Sequence, residues 1–175
     1  MVDSKFSRIA AAFAISMVLA GPALAQLRAG QESALDFTLD DLRGAPVTLS
    51  DVLADGPVIL DFWATWCKPC RKALPRLQKL ATQYEGRARV LAISIDDPRS
   101  RTKIAPTARS LGITLPVLLD GDKTVASLYR VSSIPTTFLI AADGRIMAVH
   151  NGYRDGEIKK LESELNRLLA EGTGP

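Results

Sequence analysis

The chain's only two cysteines, Cys67 and Cys70, stand three residues apart. They separate an apolar run, Val58-Ile59-Leu60-Asp61-Phe62-Trp63, from a helical pattern that extends from Arg71 to Tyr84. Thiols with that spacing at the mouth of a helix can close a small ring by oxidation. They can also divide the work, one attacking an outside disulfide while the other waits behind it. A bridge closing so short a loop does little as a staple. The pair therefore points to redox chemistry, and the chain must build a strand, a loop and a helix around it.

At 175 residues the chain suffices for one domain and a leader. Its net charge of +3 is scattered, with no basic patch interleaved with aromatics, which argues against a nucleic-acid partner. Residues 1–25 read as a signal peptide. Lys5 and Arg8 give a positive start, Ile9 to Ala20 is mostly apolar, and Ala23-Leu24-Ala25 fits the cleavage rule before Gln26. The apolar run is shorter than the roughly 20 residues that span a bilayer. Cleavage, with no stable membrane insertion afterwards, is thus favoured over the alternative of an N-terminal membrane anchor. Residues 26–175 form the mature domain, and export places it in the periplasm, an oxidising compartment.

Along that domain, Phe37-Thr38-Leu39 and Val47-Thr48-Leu49 read as a hairpin, with Ser50 and Asp51 capping a brief helix through Leu53. Val58 to Trp63 reads as a central strand covered on both faces. The helix after the cysteines carries Ala73, Leu74, Leu77, Leu80, Ala81 and Tyr84 on one face, with a kink at Pro75. Val90 to Ile95 is the next strand. Asp97-Pro98 then opens a helix that Pro106 interrupts and Gly112 ends. Val117 to Leu119 is a strand, Lys123 to Tyr129 a helix, and Thr136–Ile140 with Arg145–Val149 a second hairpin. Ile158, Leu161, Leu165, Leu168 and Leu169 line a closing helix. This order predicts an α/β domain with helices around a mixed sheet.

Cys67 should be the nucleophile. A helix N-terminus and the neighbouring Lys68, Arg71 and Lys72 favour its thiolate, and thiols in such settings have pKa values of roughly 3.5–7.5. Cys70, a turn further in, should be more buried and resolve the mixed disulfide. Asp61, in an apolar strand, should have a raised pKa that suits it to accept the Cys70 proton. Two cysteines and one histidine cannot supply the roughly four ligands of a zinc site, so no metal is expected. Nor does the sequence call for a cofactor. Trp66 should cover the disulfide, Trp63 should lie in the core, and His150 should be structural.

Phe62-Trp63-Ala64-Thr65-Trp66-Cys67-Lys68-Pro69-Cys70 resembles the active-site motif of thioredoxins, and Phe37 to Leu169 resembles their exported TlpA/ResA-like branch. Pro75 matches that family's helix-kinking proline, and Ile134-Pro135-Thr136 matches its cis-proline loop, which faces the dithiol. The N-terminal hairpin and the stretch from Asp96 to Leu111 resemble the additions of this branch. The resemblance implies a thioredoxin-like fold with an N-terminal β-hairpin and a helical insertion. It implies a redox-active Cys67–Cys70 disulfide, a catalytic role for Asp61 and Pro135, and client contacts at Trp66, Pro69, Ile134 and Pro135. The strand that carries a lysine in thioredoxin here reads Ala92-Ile93-Ser94, and Asp96 or Asp97 stands where some relatives place a glutamate, so which carboxylate serves is open.

The implied activity is a thiol–disulfide oxidoreductase, acting as a protein-disulfide reductase, since Pro69 resembles the reducing members. Clients would be disulfide-containing proteins of the apocytochrome c or copper-assembly type, and a membrane thiol reductase would donate the electrons to a monomer. The alternatives are a disulfide-forming oxidase or isomerase, and a Cu(I) chaperone with only Met147 as an added soft ligand. A peroxidase is disfavoured because Thr65 lies two residues before Cys67, whereas peroxiredoxins place it three before.

Overall fold

The computed structural model describes residues 32–154 and 156–171; the expected leader, residues 1–25, lies outside them. Strands β1 (Thr38–Asp40) and β2 (Pro46–Thr48) form an antiparallel hairpin of their own. Its turn uses Gly44 at φ +83°, a backbone region that glycine enters without a Cβ clash. A short helix, α1 (Leu49–Leu53), follows. Ser50 and Asp51 do not cap it. The cap position is Thr48, without a side-chain bond, and the Ser50 hydroxyl lies inside the helix and donates to Asp36 Oδ2 at 2.9 Å.

The main body runs β3 (Val58–Trp63), α2 (Lys68–Gln83), β4 (Arg89–Ser94), a 3-10 turn (Pro98–Ser100), α3 (Arg101–Ser110), β5 (Val117–Leu119), α4 (Thr124–Leu128), β6 (Thr136–Ile140), β7 (Ile146–Asn151) and α5 (Glu157–Glu171). The sheet order is β5-β4-β3-β6-β7. β3, β4 and β5 run parallel, while β6 is antiparallel to β3 and β7 to β6. This is the expected mixed sheet. All six residues of β3 are buried, as a strand covered on both faces requires.

Alternation along β3 feeds two cores. Ile59 and Trp63 pack with Leu74 and Leu77 of α2, Ile104 of α3, and Leu161 and Leu165 of α5. Leu60 and Phe62 pack on the other face with Leu49 and Leu53 of α1, Val125 of α4, and Phe37 and Tyr129. Asp61 therefore falls on the α2 side. The chain entering the domain also completes the sheet. Ala34 N–H donates to the Gly144 carbonyl at 2.8 Å and Ile146 N–H to Glu32 at 2.9 Å, so residues 32–34 lie along the outer edge of β7.

Two helices differ from the sequence pattern. α2 starts at Lys68, three residues before Arg71, because Cys67 takes the N-cap and Pro69 fits the first turn, where no amide donor is needed. Pro106 lies inside α3 and does not interrupt it. A proline there removes one amide donor, and the buried Ile104 and Ala108 on either side hold the helix against the core. Leu165→Ala should cost about 2–5 kcal/mol in denaturant unfolding. The half-buried Leu168, truncated the same way, should cost clearly less.

Candidate active site

Cys67 occupies the N-cap of α2 with extended backbone, φ −80° and ψ 102°. Its Sγ accepts the Cys70 amide at 3.2 Å, satisfying one of the donors that a helix start leaves unpaired. The two cysteines are joined as a disulfide, with Cα atoms 5.3 Å apart. Cys70 is fully buried, whereas Cys67 keeps a sliver of exposure at 4%. Trp66, just before the pair, is 66% exposed, and Trp63 is in the core.

Asp96 holds the loop that delivers Cys67. Its Oδ2 accepts the Thr65 amide at 2.9 Å and the Ser94 hydroxyl at 2.9 Å, and its Oδ1 accepts the Thr65 hydroxyl at 2.6 Å. Asp97 caps the 3-10 turn by accepting the Arg99 amide at 2.9 Å. Both carboxylates accept a backbone amide, and Asp96 two hydroxyls besides. The same contacts turn the Thr65 hydroxyl toward Asp96.

The Ile134–Pro135 peptide is cis. Cys67 Sγ lies 3.8 Å from the Ile134 carbonyl oxygen, so this loop abuts the sulfur. Gly152 N–H donates to the Pro135 carbonyl at 2.7 Å, fastening the end of β7 to the loop. The Ile134 amide takes no hydrogen-bond partner among the described residues.

Behind the cysteines a polar row crosses the sheet. Asp61 pairs in register with Thr137, and Thr137 with His150, so the three side chains share the face that packs against α2 and α5. The Thr137 hydroxyl donates to Asp61 Oδ1 at 2.7 Å, while Asp61 Oδ2 has no partner among the described residues. Burial pushes the Asp61 pKa up to about 7, against a smaller downward pull from the Thr137 hydrogen bond. Such a carboxyl can hold or release a proton near neutral pH.

His150, at the end of β7, contacts Glu157 through Nδ1 at 2.9 Å and Glu164 through Nε2 at 2.7 Å, clamping α5 to the sheet. The hydrogen bond from His150 lowers the Glu157 pKa. Thr137, Glu157 and Glu164 escaped the sequence reading. Only the strand alternation shared by Asp61 and Thr137 hinted at that contact.

Asp61 also sets a pH dependence. An acid whose pKa rises from 3.8 unfolded to about 7 folded keeps its proton longer in the native state. Native stability then falls as pH climbs between those values, by about 4 kcal/mol in all at about 1.4 kcal/mol per unit. The oxidised Asp61→Asn variant should therefore exceed the parent by up to that amount in urea unfolding at pH 8, and should match it near pH 4 apart from any offset common to both. An equal offset at the two pH values would remove the buried charge as the cause.

A profile of the AhpC/TSA family matches residues 31–149. Thiol-disulfide oxidoreductase ResA of Geobacillus kaustophilus is 36% identical over 121 residues, which are 69% of this chain and 68% of that protein. A crystal structure of a Chlorobium tepidum protein, described as a thiol:disulfide interchange protein DsbE, superposes with a TM-score of 0.73 at 30% identity, covering 79% of this chain and 96% of that one. The Mycobacterium tuberculosis peroxidoxin BcpB superposes with a TM-score of 0.66 at 30% identity, covering 78% and 95%. Similarity of this extent, in a chain that keeps two cysteines three residues apart at a helix cap, settles the class. The chain belongs to the AhpC/TSA family and is a thioredoxin-fold thiol–disulfide oxidoreductase of the ResA/DsbE type.

Proposed function

We propose that the protein is an exported, periplasmic reductase of client disulfides, with Cys67 as the attacking thiol, Cys70 as the resolving thiol and Asp61 as the proton acceptor. The observation that carries this reading is the Cys67 sulfur, seated on the α2 N-terminus and 3.8 Å from the Ile134 carbonyl oxygen of the cis-proline loop. A thiolate at that cap is stabilised by the amide dipoles, and Lys68, Arg71 and Lys72 add positive charge. A client strand pairing with Ile134, past Pro135 and between Trp66 and Pro69, would bring its disulfide to that sulfur.

In the first step the Cys67 thiolate attacks one client sulfur. The client S–S bond breaks, and the departing sulfur takes a proton from water. Asp61 then accepts the Cys70 proton, and the Cys70 thiolate attacks the Cys67 sulfur of the mixed disulfide. The second client sulfur leaves and is protonated in turn. Two electrons have passed to the client, and the enzyme is left with the Cys67–Cys70 bond present in the structure. A membrane thiol reductase must return two electrons and two protons. Clients of the apocytochrome c or copper-assembly type, and action as a monomer, complete the proposal.

Direction depends on poise. Pro69 favours a reductant, whereas the three cations stabilise the thiolate and pull toward an oxidant. A reduction potential near −270 mV is expected, and one near about −120 mV would reverse the assignment to a disulfide-forming oxidase. A peroxidase is disfavoured by the Thr65 hydroxyl, which faces Asp96. Cys70→Ser should accumulate mixed disulfides on Cys67. Asp61→Asn should slow their resolution about tenfold or more at neutral pH, and an unchanged single-turnover rate would take the proton-accepting role away from Asp61.

A further inference from the structure

Beside the cysteines, the first turn of α2 and the loop after β7 enclose a cleft of about 360 Å³, lined by Lys68, Pro69, Lys72, Tyr153 and Arg154. Three of the five are exposed cations, and no carboxylate lines the cleft among the described residues, which do not include Asp155 beside Arg154. None of the three is held in an ion pair by a described residue. The neighbouring Glu157 feels Arg154 and Lys160 through space, yet its carboxylate is bonded inward to His150. The positive end of α2 points the same way.

The cleft is positioned to touch whatever Cys67 touches. Lys68 and Pro69 follow Cys67 directly, and the loop bearing Tyr153 and Arg154 is fastened to the cis-proline loop by the Gly152–Pro135 hydrogen bond. An extended chain advances about 3.3 Å per residue, so a client lying along Ile134 would carry its next few side chains past the cleft. We propose that this cleft selects clients bearing aspartate or glutamate within a few residues of the reactive cysteine. The inference rests on Cys67 being the attacking thiol. It adds a rule of choice among clients, since a neutral or basic flank gains nothing from Lys68, Lys72 and Arg154.

The test uses the reduced, full-length mature protein and three peptide disulfides, identical except for glutamate, serine or lysine flanking the cysteine. At low ionic strength the glutamate peptide should react about tenfold faster than the serine peptide, and the lysine peptide slower than both. The glutamate-to-serine ratio should approach one in about 1 M salt, where the screening length falls to about 3 Å. Arg154→Glu should collapse that ratio and Arg154→Lys should keep it. Scoring each variant by its ratio cancels any change in thiolate reactivity common to the peptides. Equal rates for all three peptides would overturn the selective cleft while leaving the reductase intact. No reaction even with the serine peptide would overturn the attacking role of Cys67 itself.

Discussion

A helix start leaves backbone amides without partners, and in this fold one of them is satisfied by sulfur. The Cys70 amide donates to Cys67 Sγ, so the cap of α2 is one of the two sulfurs of the redox pair. That arrangement couples stability to chemistry. The dipole that anchors the helix also lowers the cost of a thiolate. Everything nearby serves to keep the cap in place: β3 delivers the chain from the core, Asp96 grips Thr65, and Pro69 occupies a first-turn position that needs no donor.

Behind the cap the sheet performs a second task. Cross-strand register lines up Asp61, Thr137 and His150, and the order β3-β6-β7 spreads them from the centre to an outer strand. The central member loses most from leaving water, and its pKa rises accordingly. The outer member, His150, bonds two carboxylates carried on α5. One row of side chains thus holds a buried carboxyl of raised pKa at the centre and a structural clasp at the rim.

Much of this was legible from local pattern. The apolar run of β3, the helical spacing in α2 and α5, and the turn residues of both hairpins each report a periodicity or a backbone requirement contained within a short window. The periodic pattern of α2 begins at Arg71, three residues after the helix itself, because a cysteine acting as a cap carries no signature in a propensity scale. The grip of Asp96 on Thr65 has no local signature either, since the two residues are 31 apart in the chain. The Asp61–Thr137 bond spans 76 residues, and only the assembled register reveals it. Pro106 shows the converse, a strong local breaker overruled by buried neighbours.

The strand-like segment at residues 32–34 has a geometric consequence. It lies against Gly144 to Ile146, where β7 begins, while the sulfurs sit past the opposite end of β3, level with Thr136 and Asn151. Glu32 and Cys67 therefore occupy opposite poles of the sheet. Any tether preceding Glu32 would attach at the pole of the sheet opposite Cys67.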